Sequence, residues 1–160
     1  LHTHTDTVTV ELRNATTLAV EYSVNGILKT NGSMKAFFPL EALGNTYYVV
    51  VKHRNSMETW SALPLSITTL TPYDFTTAAN KAYGDNQLEI EPGVFALFTG
   101  DVNQDGFIDS FDFPALDNDI FNGVNIEYVN TDLNGDGFVD SFDFPIFDAN
   151  SYNGVSVITP

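Results

Sequence analysis

GDVNQDGFIDSFDFP (Gly100–Pro114) and TDLNGDGFVDSFDFP (Thr131–Pro145) are two copies of one acidic, aromatic phrase, offset by 31 residues from Asp101 to Asp132. Aligned from those aspartates, each copy fits the twelve-residue calcium loop, in which oxygen ligands stand at positions 1, 3, 5, 7, 9 and 12 and glycine at 6. The first set is Asp101, Asn103, Asp105, the Phe107 carbonyl, Asp109 and Asp112. The second is Asp132, Asn134, Asp136, the Phe138 carbonyl, Asp140 and Asp143. Calcium is a hard cation that takes oxygen ligands, so carboxylates, a side-chain amide and a main-chain carbonyl suit it, and two loops imply two ions. Gly106 and Gly137 permit the sharp turn that a Cβ would obstruct. Ile108 and Val139, at position 8, are the apolar residues expected to join the two loops through a short β-bridge. With four carboxylates converging in each loop, mutual repulsion opens the loops unless a cation is bound.

The charge distribution asks for the same ion. Of the 160 residues, those from 101 to 160 hold twelve acids and no Lys, Arg or His, whereas the first hundred hold nine acids and six bases. The formal net charge is −15. Nucleic acid and anionic membrane are therefore poor partners, because phosphate-binding surfaces need clustered cations. No apolar run approaches the ~20 residues of a membrane span. The chain has no cysteine, so disulfides and thiol chemistry are excluded. It also lacks the nucleophile elbow, phosphate loop and zinc-protease motifs, and its conspicuous carboxylates are committed to metal; an enzyme is not expected.

Upstream, residues from about 6 to 98 read as short strands. Val8, Val10 and Leu12 alternate with polar residues, as do Leu18, Val20, Tyr22 and Val24. Asn25-Gly26 and Asn31-Gly32 are expected as tight hairpin turns, with SMKAFF (33–38) a strand after the second. YYVVVKHR (47–54), METWSALPLSI (57–67), QLEI (87–90) and GVFALF (93–98) supply more strands. YDFTTAANKAYG (73–84) is expected as one short helix, capped by Asp74 and stopped by Gly84. About seven short strands predict an immunoglobulin-like β-sandwich over 1–98. Only Thr99 and Gly100 separate it from the first loop, so the second domain, 99–160, is expected to pack on it. His2 and His4 form an H-x-H pair that is taken as incidental. His53 is taken as a structural strand residue, and Trp60, Tyr47 and Tyr48 as core aromatics with sugar stacking as the alternative.

Two features depart from the common EF-hand. Position 12 is Asp (Asp112, Asp143), one methylene shorter than Glu, which brings the following helix closer and leaves magnesium as the alternative ion. A strand, not a helix, precedes Asp101. Paired calcium loops of this kind, each followed but not preceded by a helix, make residues 100–155 resemble the dockerin module of cellulosome-type proteins. The sandwich resembles the immunoglobulin-like modules that accompany dockerins at the C-termini of large exported bacterial proteins. The resemblance implies an extracellular or cell-surface location and a protein partner of cohesin type or another surface protein. In dockerins, loop positions 10 and 11 carry partner recognition. Here these are Ser110, Phe111, Ser141 and Phe142, each a hydroxyl beside an apolar side chain. The family's second pair falls on Asp117-Asn118 and Asp148-Ala149, where many dockerins are basic. The expected fold is thus mainly β sandwich followed by a small α module. Its expected function is calcium-dependent, non-catalytic docking, against two alternatives. These are a calcium-rigidified stalk or end-cap of an adhesin, and a carbohydrate-binding sandwich braced by calcium. Phe107 and Phe138 are expected on the surface, and Phe113 and Phe144 in the core.

Overall fold

The computed structural model describes residues 4–125 and 128–160, so His2 lies outside the described residues. The chain forms two compact units, one of residues 1–52, 59–96 and 158–160, the other of residues 53–58 and 97–157.

The first unit is β-rich. Its strands are β1 (His4–Asn14), β2 (Val20–Lys29), β3 (Thr46–His53), β4 (Ser56–Trp60, entering from the second unit), β5 (Leu65–Ser66), β6 (Leu88–Glu91) and β7 (Val94–Ala96). The main sheet runs β2-β1-β3-β4 with β5 also on β3; β6 and β7 form a separate two-stranded sheet. The β1–β2, β1–β3, β3–β5 and β6–β7 pairs are all antiparallel. The period-2 reading of β1 is correct: Val8, Val10 and Leu12 are buried while Thr9 and Glu11 are only partly so. Leu12, Ala42, Tyr47 and Ile67 form one core cluster.

Three local expectations fail. Asn25-Gly26 does not turn; it lies inside β2, with Asn25 opposite Thr9 and Gly26 opposite Val8. The β1–β2 turn instead lies at 14–19, where Asn14 Oδ1 accepts the N–H groups of Thr16 and Thr17 and Leu18 N–H donates to Asn14 O. Gly26 is closely approached within the strand: a Cβ there would stand 3.0 Å from Lys35 O and would displace the flexible end of Met34. Asn31-Gly32 does turn, with Gly32 at φ +76°, but 33–38 follows as irregular chain, not a strand. Finally, 73–84 contains no α-helix. Asp74 Oδ1 caps Thr76 through N–H and Oγ1, which holds its carboxyl below the usual range. Ala78 is then extended, and only the short 3₁₀ turns Ala79–Lys81 and Tyr83–Asp85 form. Paired Thr76-Thr77 disfavours helix through its β-branched side chains.

Trp60, Tyr47 and Tyr48 are buried. The Arg13 guanidinium lies 4.5 Å from the Trp60 ring centre and Tyr48 meets its edge, so these rings offer no sugar-stacking face. His53 ends β3 and its Nδ1 faces Asn55 Oδ1 at 3.0 Å.

The second unit carries α1 (Phe113–Asn122) and α2 (Phe144–Tyr152), one after each loop. Pro114 and Pro145 sit in the first turns, where a missing N–H costs no helical bond. No described helix is long and apolar enough to cross a membrane. The core gathers Met57, Val102, Ile108, Leu116, Leu133, Val139 and Phe147. Phe113 is half-buried and stacks on Phe147; Phe144 touches both rings but keeps an exposed edge.

Candidate calcium centre

Each loop is organised by its two terminal aspartates. In the first, Asp101 accepts N–H from Asp105 (3.1 Å) and Gly106 (3.2 Å). Asp112 accepts three, from Val102 (2.7 Å), Asn103 (3.0 Å) and Asp109 (3.0 Å). In the second, Asp132 accepts from Gly135 (2.8 Å) and Gly137 (3.0 Å), and Asp143 from Leu133 (2.7 Å), Asn134 (3.1 Å) and Asp140 (2.9 Å). Between them, Asn103, Asp105 and Asp109 cap the N–H groups of Asp105, Phe107 and Phe111. Asn134, Asp136 and Asp140 repeat this on Asp136, Phe138 and Phe142. The chain at each loop is thus coiled by its own side-chain oxygens, carried at positions 1, 3, 5, 9 and 12 by short Asp and Asn side chains.

Asp101, Asp112, Asp132 and Asp143 are all buried, and the donors that meet them are neutral backbone amides. Burying a carboxylate without a counter-charge costs several kcal/mol even after relaxation. Among the described residues no three His, Asp or Glu side chains are gathered closely enough to hold a metal ion. The fit to a cation rests instead on the donor set, all hard oxygen, and on four buried acids in a segment without Lys, Arg or His.

Burial pushes the Asp101 carboxyl up to about 6; the Gly106 N–H opposes the shift, and the nearby Asp112 and Asp105 charges add to it. A raised carboxyl pKa means that the folded state holds its proton more tightly than the unfolded chain does. The contribution of Asp101 to calcium-free stability is therefore fully present below the ordinary carboxylate range and is lost as pH rises through about 6. Conversely, the first loop should bind calcium less well as pH drops below that value. Chelator-treated protein melted across this range should lose stability upward in pH; a flat profile would contradict the assignment.

The two halves are related by the 31-residue repeat in space as well as in sequence, but not as the position-8 expectation had it. Ile108 and Val139 do not bridge each other. Ile108 N–H donates to Val155 O, beyond α2, and Val139 N–H to Val124 O, beyond α1. Each loop is thereby closed on the chain that leaves the opposite helix, and both side chains enter the shared core. Helix residues cross over in the same way: Asn150 Nδ2 donates to Thr99 O ahead of the first loop, and Thr131 Oγ1, ahead of the second, donates to Asp119 Oδ2. The signal for this was present in the sequence, because the repeat continues into FNGV (121–124) and YNGV (152–155). Gly123 and Gly154 take left-handed φ of +60° and +64° at the helix ends.

The repeat also pairs exposed aromatics. Phe111 and Phe142 are 76% and 73% exposed, and Phe121 and Tyr152, at the far ends of α1 and α2, 88% and 90%. Phe107 and Phe138 are exposed as expected. Ser110, Ser141, Asp117, Asn118, Asp148 and Ala149 are exposed too.

Residues 99–149 match the family model of the dockerin type I domain. The match takes in both loops, all of α1 and most of α2, so the segment is a dockerin-like module. No curated protein and no solved structure matches the chain.

Sequence reasoning missed the contribution of residues 53–58. Residues 55–57 pair with 98–100 through Gly100 N–H to Asn55 O and Met57 N–H to Phe98 O, and Met57 is fully buried in the module's core. No local signal marks a hairpin tip as part of a calcium module more than forty residues downstream.

Proposed function

We propose that this chain is a non-catalytic, calcium-dependent docking module of an exported or cell-surface bacterial protein. Residues 99–160 bind two calcium ions and engage a cohesin-like protein partner, and residues 1–98 form an immunoglobulin-like β module. The observation that carries the reading is the dockerin type I match over a segment whose terminal loop aspartates are buried with their carboxylates on neutral backbone amides. Asp101, Asn103, Asp105, the Phe107 carbonyl, Asp109 and Asp112 would hold one ion. Asp132, Asn134, Asp136, the Phe138 carbonyl, Asp140 and Asp143 would hold the other. Bound calcium supplies the positive charge that these acids lack, and fixes the loops from which Ser110-Phe111 and Ser141-Phe142 project.

Exposed aromatics of this size are the side chains that anchor interfaces, and Phe111 and Phe142 stand directly beside the calcium loops. Calorimetry against purified cohesin-type domains should show binding in calcium and none in chelator. The double variant Phe111→Ala/Phe142→Ala should lose at least about tenfold in affinity for the partner while still binding calcium. Two bound ions with no protein partner would favour the end-cap alternative. The carbohydrate alternative loses its proposed face to the burial of Trp60 and Tyr48.

A further inference from the structure

The two loops are nearly identical in sequence, yet the carbonyl of the first residue in each is held differently. In the first loop, Asp101 O accepts Gln104 Nε2 at 2.5 Å, a donor from position 4 of the same loop. Gln104 adopts φ +61°, a left-handed conformation unusual for a residue with a Cβ. Its amide also reaches Ser56 O at 3.4 Å. In the second loop position 4 is Gly135, which has the same backbone sign (φ +76°) but no side chain to give. The missing donor comes from residues 53–58. Asn55 Nδ2 donates to Asp132 O at 2.7 Å, and the Arg54 guanidinium donates to Asp132 O at 3.3 Å and to Val129 O.

Asn55 is built for this. It is buried, and its Oδ1 accepts Ser56 Oγ at 3.4 Å and faces His53 Nδ1 at 3.0 Å. The amide oxygen is thereby engaged on its own segment, which leaves the NH₂ end directed at Asp132. Fixing the Asp132 carbonyl fixes the residue whose carboxylate takes the N–H groups of Gly135 and Gly137.

We propose that Asn55, seconded by Arg54, is a positioning residue for calcium in the second loop, so that the two loops bind calcium with unequal dependence on residues 53–58. The inference rests on the reading of both loops as calcium sites. The first loop supplies its own clamp through Gln104; the second borrows one from outside the repeat. Partners that orient ligands in this way commonly change metal affinity by about 10–100-fold when removed. Asn55 reads the effect without altering charge, whereas removing Arg54 would also relieve its repulsion of a nearby cation.

The test is calcium titration calorimetry on the full chain in two backgrounds, Asp105→Ala to leave only the second loop competent and Asp136→Ala to leave only the first. Asn55→Ala should weaken calcium binding about tenfold or more in the first background and within about twofold in the second. The Asn55 carbonyl contact to Gly100 is main chain and survives the substitution. Hydrogen exchange in calcium gives a second readout: the Gly135 and Gly137 amides should lose protection while Gly106 keeps it. Should Asn55→Ala fail to fold, Asn55→Leu keeps a similar volume, removes the donor without adding charge, and is judged by the same split. Equal losses in both loops, or an unchanged second loop, would overturn the inference alone. A wild-type chain that takes up no calcium would overturn the underlying calcium reading and the inference with it.

Discussion

Chelation is expected to lower the melting temperature of the second unit by on the order of 20 °C. A ligand present at one hundred times its dissociation constant stabilises the folded state by about 2.7 kcal/mol, so two sites give about 5 kcal/mol. The unit that holds the loops, residues 53–58 and 97–157, falls in the size range where each kcal/mol moves the midpoint by about 4–8 °C. The direction follows from burial: Asp101, Asp112, Asp132 and Asp143 are withdrawn from water and met only by neutral donors. Without the cation, their repulsion works against the coiled loop. Scanning calorimetry with calcium and with chelator measures the shift directly, and an unmoved transition would remove the loops from the stability of the unit.

The two coiled loops of the dockerin-like segment were legible from sequence because their hydrogen bonds are a local matter. A coil of twelve residues places its oxygens by its own backbone, and the spacing of Asp, Asn and Gly encodes that coil whatever surrounds it. Strand β1 was legible for a similar reason, since alternate burial of Val8, Val10 and Leu12 needs only the period of a pleated chain, and β3 from its run of β-forming residues. What escaped depends on chain brought from elsewhere. Asn25-Gly26 carries the sequence of a turn, but the pairing of β2 with β1 overrides the local preference, and the Lys35 carbonyl comes close to Gly26 within the strand. Position 8 was read as loop to loop because the loops are alike; the N–H groups go instead to Val155 and Val124, where each helix releases the chain. Asn55 and Arg54 carry no motif at all. Their contacts with Val129 and Asp132 exist only because the hairpin tip pairs with 98–100.

The second large effect concerns position 12 and separates the loops' architecture from their metal chemistry. Asp112→Ala should destabilise the second unit by about 1–3 kcal/mol even in chelator, because three N–H groups lose their acceptor together and that of Val102 is buried, where an unsatisfied donor costs about 1–3 kcal/mol, in excess of the repulsion relieved by removing the charge. The orphans would be Val102, Asn103 and Asp109, and in Asp143→Ala they would be Leu133, Asn134 and Asp140. Asp105→Ala provides the contrast. That side chain is exposed and caps one backbone N–H, of Phe107, so its calcium-free cost should stay below about 1 kcal/mol while calcium affinity drops sharply. Asp112→Asn should fall between them. Its remaining oxygen can still serve Val102 and Asn103, but its NH₂ would confront the Asp109 N–H, donor against donor. Urea unfolding in chelator ranks the three variants independently of metal. If Asp112→Ala proved as stable as wild type there, the position-12 aspartates would be ligands alone, and the short side chain at that position would need another explanation than the three amides it gathers.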